Sequence, residues 1–145
     1  MMIKSLAALL VLLAPVPAIP QPTPPVAVAA PITIEYYYRI KWGAAEEFER
    51  LYERNHAPIL RELQKAGHIV SMKTDRPFTH MAGGARWDLR VTITYRDAAA
   101  AMAVDAPFQA IWKAAKARLY PDTSRFDSEE MRRFSLLEEH WDVII

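Results

Sequence analysis

The sequence predicts an α+β domain in which two helices cover one face of a four-stranded antiparallel sheet. Four segments have the alternating or short apolar pattern of β-strands, and apolar helical stripes separate the first strand from the second and the third from the fourth. All four glycines, at positions 43, 67, 83 and 84, fall between these segments, where the chain must turn. The 145 residues, of which 52% are hydrophobic and 24% charged, suit one globular domain.

The four strands are predicted from period-2 alternation and from one short apolar ending. Apolar and polar side chains alternate over residues 33–42, 69–76 and 87–95, with the last of these giving the clearest pattern. Gly83-Gly84 is predicted to form the hairpin turn between the second and third strands. Residues 141–145 are short and apolar enough for a fourth strand.

The first helix is predicted over residues 44–66, where apolar residues recur at helical spacing. Gly67 is a natural C-terminal cap for this helix. Pro58 lies inside the stripe and has no backbone N–H to donate. We therefore expect a kink, or a loosened hydrogen bond, near Arg54.

The second half of the chain predicts an interrupted helical region before the last strand. Asp97 is expected to cap an alanine-rich helix, which Pro107 interrupts and restarts. A second apolar stripe follows over residues 108–119. Asp127 or Ser128 is then expected to cap a third helical stretch.

The resulting order is β-α-β-β-α-(α)-β, the split β-α-β arrangement of ferredoxin-like proteins. The helices are expected to cover the apolar alternates of the sheet, which are Tyr36, Tyr38, Ile40, Val70, Met72, Leu89, Val91 and Ile93.

The opposite face of the sheet, here called the open face, carries mostly polar alternates. Its predicted members are Glu35, Tyr37, Arg39, Lys41, Ser71, Lys73, Asp75, Asp88, Arg90, Thr92 and Thr94, joined by His140 and Asp142 if the last strand keeps register. One interpretation is a solvated face with cross-strand ion pairs. The other is that the sheet of a second subunit closes over it and encloses a polar pocket.

Composition excludes several classes of function. The 18 basic and 17 acidic residues leave no charge excess for nucleic acid or an anionic membrane. The absence of Cys excludes disulfides, thiolate metal sites and cysteine nucleophiles. No phosphate-binding glycine loop, Gly-x-Ser-x-Gly elbow or His-Glu-x-x-His motif occurs, so no cofactor and no metal are predicted.

The N-terminal residues predict export. Lys4 is the only charge before residue 35, residues 6–13 are an unbroken apolar run, and seven of the eleven prolines precede residue 32. We expect a signal peptide at residues 1–18, with cleavage as late as residue 30, then a proline-rich tether to residue 31 and a single domain over residues 32–145. The mature protein would be periplasmic or secreted. An uncleaved membrane anchor is the alternative, although the apolar run is shorter than the ~20 residues that span a bilayer.

Three segments resemble dimeric α+β barrel proteins of the EthD-like and NIPSNAP-like kind, in particular a group of exported bacterial proteins without assigned function. They are Tyr-Tyr-Tyr-Arg-Ile-Lys-Trp-Gly at residues 36–43, residues 48–60 ending in Asn-His-Ala-Pro-Ile-Leu, and Leu-Leu-Glu-Glu-His-Trp-Asp-Val at residues 136–143. The resemblance covers nearly all of residues 32–145 and implies a homodimer whose two sheets pair into a barrel. It implies no single activity, because the superfamily includes monooxygenases, isomerases, decarboxylases, haem enzymes and non-enzymes.

His56 is the candidate catalytic residue. The resemblance places it on the first helix near a pocket mouth, where a neutral imidazole can act as a base or as a hydrogen-bond partner. The alternative is that His56 and Asn55 satisfy backbone groups freed by Pro58. Candidate ligand-binding residues are Tyr37, Arg39, Asp88, Arg90 and His140.

Two functions stay open at this point. One is an exported protein that either binds a small aromatic or polyketide-like compound or acts on it as a cofactor-free enzyme. The other is a noncatalytic exported dimer, in which the open face serves only assembly.

Overall fold

A four-stranded antiparallel sheet carries the fold, and its elements follow the predicted order. The structure is a computed structural model that describes residues 29–145. Its elements are β1 (Ile32–Ile40), α1 (Ala45–Leu51), a π-helical turn (Tyr52–His56), α2 (Ala57–Lys65), β2 (Ile69–Asp75), β3 (Leu89–Tyr95), α3 (Ala98–Ala101), α4 (Ala106–Leu119), α5 (Thr123–Ser135) and β4 (Leu137–Ile144). The strand order β2-β3-β1-β4 places β1 between β3 and β4. The predicted ferredoxin-like α+β fold is confirmed.

The predicted signal peptide and almost all of the tether lie outside the described residues. Export and the position of cleavage therefore stay predictions from the sequence. Within residues 29–145, no helix has both the length and the apolar character needed to cross a bilayer.

The helices pack on one side of the sheet, here called the helix face, and this contact forms the core. Buried members from the strands and helices are Ile34, Tyr38, Ile40, Ile69, Leu89, Val91, Ile93, Phe48, Leu51, Leu60, Leu63 and Phe108. Each large apolar side chain removed from water contributes roughly 1.5–3 kcal/mol to the free energy of folding. The even-numbered positions of β1 and the odd-numbered positions of β3 supply most of the sheet's share, as their alternation predicts.

The predicted burial of Val70 is wrong, and a β-bulge is the reason. Ile69 pairs with Tyr95 and Ser71 pairs with Thr94, so Val70 is an extra residue without a partner on β3. The bulge shifts the alternation of β2 by one position. Val70 is 57% exposed as a result, while Ile69 is buried.

Strand β3 begins at Leu89, two residues later than predicted, because Asp88 bonds to β1 through its side chain as well as its backbone. Its carboxylate accepts the backbone N–H of Ile40 at 2.7 Å, and its own N–H donates to the carbonyl of Tyr38 at 2.9 Å. Residues 76–88 form a long loop between β2 and β3 instead of the tight hairpin predicted around Gly83-Gly84.

Two helices, α3 and α5, begin at side-chain caps, and one of these caps was predicted correctly. Asp97 accepts the backbone N–H of Ala100 at 2.8 Å, as expected for the cap of α3. The prediction of Asp127 or Ser128 as the cap of the last helix is wrong. Asp122 occupies that position and accepts the N–H of Arg125 at 2.9 Å, so α5 begins five or six residues earlier than predicted.

The predicted disturbance at Pro58 takes the form of the π-helical turn. The N–H of Ala57 bonds to the carbonyl of Tyr52, five residues back, and the helix then continues as α2. Pro58 cannot donate to the carbonyl of Arg54, and the hydroxyl of Tyr120 donates to that carbonyl at 2.7 Å instead. Neither Asn55 nor His56 serves this carbonyl, so the alternative structural role predicted for them is wrong there.

Replacing Tyr120 by Phe should destabilise the domain by about 1 kcal/mol, because the carbonyl of Arg54 loses its donor while the ring contact with Phe126 is retained. The free energy of unfolding in urea measures this loss. In a Pro58→Ala background, residue 58 regains an N–H, and the same change should cost less. An equal cost in both backgrounds would show that Tyr120 does not compensate for Pro58.

Candidate functional site

A cavity of about 300 Å³ lies between the helix face of the sheet and the helices. We call it the tyrosine cavity. Its lining consists of Tyr36, Tyr38, Tyr52, His56, Leu60, Val91, Ile93, Tyr95, Ala101, Ala103, Phe108, Gln109 and Trp112. No Asp, Glu, Lys or Arg is among these described residues, so the lining is aromatic and polar without formal charge.

Four phenol groups give the tyrosine cavity its polar character. The hydroxyls of Tyr36 and Tyr95 bond to each other at 2.7 Å. Tyr38 and Tyr52 are 5% and 4% exposed, yet neither hydroxyl bonds to another described residue or is sealed off in the packing. These two hydroxyls therefore face the cavity as free hydrogen-bond donors. Burial raises the pKa of all four tyrosines, so they stay protonated at neutral pH.

His56 lies at the end of the π-helical turn and contributes the one imidazole of the described lining. Its ring packs 5.3 Å from Tyr52 and meets Trp112 edge-on at 5.7 Å, measured between centroids. Burial, reinforced by the positive charge of Arg133, lowers the pKa of His56 to about 4. The ring is therefore neutral at physiological pH and presents one N–H donor and one nitrogen acceptor.

A buried ion pair supports His56 from outside the cavity. Arg133 is 2% exposed, and its Nε and Nη2 atoms bond to the two carboxylate oxygens of Glu130 at 3.0 and 2.7 Å. Glu130 Oε2 lies 4.0 Å from Nδ1 of His56. The guanidinium of Arg133 also stacks on the rings of Phe48 and Tyr52. A change at Arg133 would therefore affect both His56 and the cavity wall.

The sheet separates His56 from Tyr37, Arg39 and Arg90, so the structure does not bring these four candidate residues together in one pocket. Tyr37 lies on the open face, where its ring is parallel to that of Trp141 at 5.2 Å. Arg90, also on this face, forms ion pairs at 3.2 Å with Glu35 and with Asp75. These residues form a cross-strand network and do not line the tyrosine cavity.

Arg39 and Asp88 are occupied in contacts that hold the loop at residues 76–88. Arg39 Nε donates to the carbonyl of Arg86 at 2.9 Å, and Arg39 Nη1 pairs with Glu139 at 2.8 Å. Asp88 pairs with the guanidinium of Arg86 at 2.9 Å, besides its bond to β1. Both residues lie at the end of the sheet and fix the path of the chain.

The predicted placement of His140 and Asp142 on the open face is wrong. β4 pairs His140 with Tyr38 and Asp142 with Tyr36, and paired residues share a face, so both lie on the helix face. The ring of His140 stacks on Tyr38 at 4.4 Å, and its Nδ1 lies 2.8 Å from the carbonyl oxygen of Tyr37. Trp141 takes the position on the open face instead.

Sequence reasoning missed Tyr38, Tyr52, Tyr95, Glu130 and Arg133 as functional candidates. Periodicity predicts the burial of the Tyr38 ring, which is correct, but it does not predict which tyrosine hydroxyls face a cavity. Arg133 falls in a charged stretch of α5, and only the packed structure shows its burial. His80, in the loop between β2 and β3, lies beside the exposed ring of Trp42. Among residues 29–145, no three His, Asp or Glu side chains group as a metal site requires.

The domain should lose stability as the pH falls from about 6.5 to 4, in part through His56. The unfolded chain takes up a proton near the ordinary histidine pKa, whereas the folded chain resists it down to a pKa of about 4. The loss attributable to this residue approaches about 3 kcal/mol below pH 4. Urea unfolding of wild type and His56→Gln across this range measures it. A stability difference between the two proteins that is constant with pH would contradict the burial argument.

The solved structures that are similar to this chain have ferredoxin-like folds. A dimeric ferredoxin-like protein from an uncultured marine organism matches with a TM-score of 0.51 and 8% identity, over 80% of this chain and 85% of its own. A NIPSNAP family protein from Agrobacterium tumefaciens matches with a TM-score of 0.44 and 16% identity, covering 81% and 85%. An EthD family protein from Bacillus halodurans has the same TM-score and identity, covering 79% and 97%.

No protein-family model matches the sequence, and no curated protein matches it. The structural matches are the kinds of protein that the sequence resembles. The match with a TM-score of 0.51, at 8% identity, supports the fold and says nothing about activity. The chain therefore has a ferredoxin-like α+β fold.

Proposed function

We propose that the tyrosine cavity binds a small, flat, uncharged molecule that carries carbonyl or hydroxyl oxygens. The observation that carries this proposal is the pair of free hydroxyls on Tyr38 and Tyr52 in a lining without charged side chains. Protonated phenols donate hydrogen bonds, so they match acceptor oxygens on a ligand. The described lining has no basic side chain to bind an anionic ligand and no carboxylate to bind a cationic one.

The size and rings of the cavity favour an aromatic ligand. A volume of about 300 Å³ lies at the lower end of the range for small-molecule pockets. Phe108 and Trp112 stack on each other at 6.4 Å and line the same wall, so they offer faces for a planar ring system. A small aromatic or polyketide-like compound meets these requirements of shape and polarity.

Binding is better supported than turnover. His56 offers a neutral nitrogen that can accept a proton from a bound ligand, with Tyr38 and Tyr52 to stabilise an oxyanion left behind. A base with a pKa of about 4 is weak, however, and general bases work best with a pKa near the ambient pH. The negative charge of Glu130 raises the pKa of His56, and this carboxylate lies 4.0 Å from the imidazole. Cofactor-free acid–base chemistry therefore requires that the bound ligand bring the carboxylate closer, so that His56 becomes a stronger base.

We also propose that the open face pairs with a second copy of the chain. Tyr37, Trp87 and Trp141 form an aromatic group there, with ring centroids 5.2 and 5.9 Å from Tyr37. Nε of Arg90 is buried on this face without a hydrogen-bond partner among the described residues. The structure from the uncultured marine organism is described as dimeric, which supports the same assembly here.

The double variant Tyr38→Phe/Tyr52→Phe should bind 1,4-naphthoquinone about tenfold more weakly than wild type, because two donors worth about 0.5–1 kcal/mol each are lost. Isothermal titration calorimetry measures the dissociation constant. Tyr37→Phe, on the neighbouring residue but the opposite face, is the matched control and should leave binding unchanged. The anion 2-naphthoate should bind much less tightly. Equal affinity of all three proteins for the quinone would refute the proposed donors.

Light scattering should give twice the chain mass for wild type and the chain mass for Thr92→Arg. Thr92 lies on the open face between Glu35 and Lys73, so a long charged side chain there would keep a second sheet away. Gln64→Arg adds the same charge on the exposed side of α2 and should stay dimeric. A monomeric wild type, or a dimeric Thr92→Arg protein, would rule out pairing through this face.

A further inference from the structure

The hydroxyls of Tyr36 and Tyr95 form a pair that adds one further hydrogen-bond donor to the tyrosine cavity. They lie 2.7 Å apart, and both residues line the cavity. Two hydroxyls carry two protons, and their mutual bond uses one of them. No described residue accepts the second proton, including Asp142, which lies opposite Tyr36 on β4. One O–H of the pair is therefore left for a molecule in the cavity.

Tyr95 is the donor within the pair, and Tyr36 keeps the free proton. Tyr95 is 5% exposed, whereas Tyr36 is half-buried, so the free proton costs less on Tyr36, where solvent can reach it. Burial raises the pKa of both tyrosines, and their mutual bond then opposes this rise at Tyr36 and adds to it at Tyr95, which agrees with this direction. A hydroxyl that accepts a hydrogen bond is polarised by it and becomes a stronger donor. Tyr95 thus strengthens Tyr36 as a donor.

The register of the sheet separates this donor from Tyr38 and Tyr52. Tyr95 lies opposite Ile32, four residues or about 13 Å along β1 from Tyr36, yet the two hydroxyls bond. Both phenols therefore lean towards each other along the sheet. Tyr38 lies on the other side of Tyr36, two residues or about 7 Å further along β1. The cavity thus has donors at two positions along the sheet, Tyr36 at one and the Tyr38–Tyr52 pair at the other.

We infer that the tyrosine cavity selects molecules with two acceptor oxygens on opposite edges of a flat ring system, as in a cyclic 1,4-dicarbonyl compound. The hydroxyls of Tyr38 and Tyr52 bind one oxygen, and the hydroxyl of Tyr36 binds the other. Tyr95 is a positioning residue, because its bond aligns and polarises Tyr36. This inference rests on the proposed binding function of the cavity and adds the number and placement of the oxygens that the ligand needs.

Isothermal titration calorimetry with two ligands of similar size tests the inference, since 1,4-naphthoquinone has two opposed carbonyls and 1-tetralone has one. Tyr36→Phe should weaken naphthoquinone binding about fivefold, because one hydrogen bond to the ligand is lost. It should change the affinity for 1-tetralone by less than about twofold, because Tyr38 and Tyr52 still bind the single carbonyl. Tyr95→Phe keeps the Tyr36 hydroxyl but removes its support, so it should weaken the binding of naphthoquinone alone, about threefold.

Infrared spectroscopy of bound 1,4-naphthoquinone supplies a readout that a merely structural effect would not move. A carbonyl stretch falls in wavenumber when the oxygen accepts a hydrogen bond. In Tyr36→Phe, one of the two carbonyl stretches should therefore rise towards its value in an apolar solvent, while the other stays as in wild type. Tyr37→Phe, on the opposite face of the sheet, is the matched control and should change neither the affinities nor the spectrum.

Equal weakening of both ligands by Tyr36→Phe would overturn the inference, because the change would then act through the shape of the cavity. Unchanged naphthoquinone binding in Tyr36→Phe would overturn it as well. If the double variant Tyr38→Phe/Tyr52→Phe still weakened the quinone in that case, the proposed binding function would stand without the second oxygen site. Failure of wild type to bind either ligand would reject the proposed function and this inference together.

Discussion

The pairing of β1 with strands on both sides assigns each of its side chains to one of two environments. Because β3 and β4 hold β1 from both edges, the strand cannot rotate, and consecutive residues must face opposite ways. The run Tyr36-Tyr37-Tyr38 shows the result. Its outer two members line a cavity under the helices, while the middle one stacks on Trp141 on the open face. Three identical residues thus contribute to two separate surfaces.

The cavity depends on a second constraint, the interruption of the first helix. In a regular α-helix, Tyr52 and His56 would be one turn apart on an unbroken stripe of apolar contacts. The π-helical turn widens the helix where both residues lie, and π turns are frequent at functional sites. Arg133 and Glu130 pack behind this turn, so an ion pair with a buried guanidinium supports a neutral lining. Replacing one partner alone would leave an uncompensated buried charge, which is far more disruptive than losing the pair as a whole.

Local periodicity was sufficient to predict the order of elements, the disturbed hydrogen bonding before Pro58 and most of the core. It failed where one residue interrupts the regular pairing of a strand. Val70 forms a bulge in β2, and Asp88 bonds to Ile40 through its side chain, so β3 begins only at Leu89. His140 was misplaced because the face of β4 depends on its pairing with β1, which no pattern within β4 reveals. The free hydroxyls of Tyr38 and Tyr52 also cannot be predicted from the sequence, because they depend on the space that the packed helices leave as a cavity.

The bond from Tyr120 to the carbonyl of Arg54 has a consequence for the order of folding. It joins residues 66 positions apart, so the helix broken by Pro58 cannot complete its hydrogen bonding from local contacts. During synthesis, this carbonyl must remain bound to water until α4 has left the ribosome and packed against α2. The first helix of the domain is consequently among the elements that mature late, even though its sequence is made early.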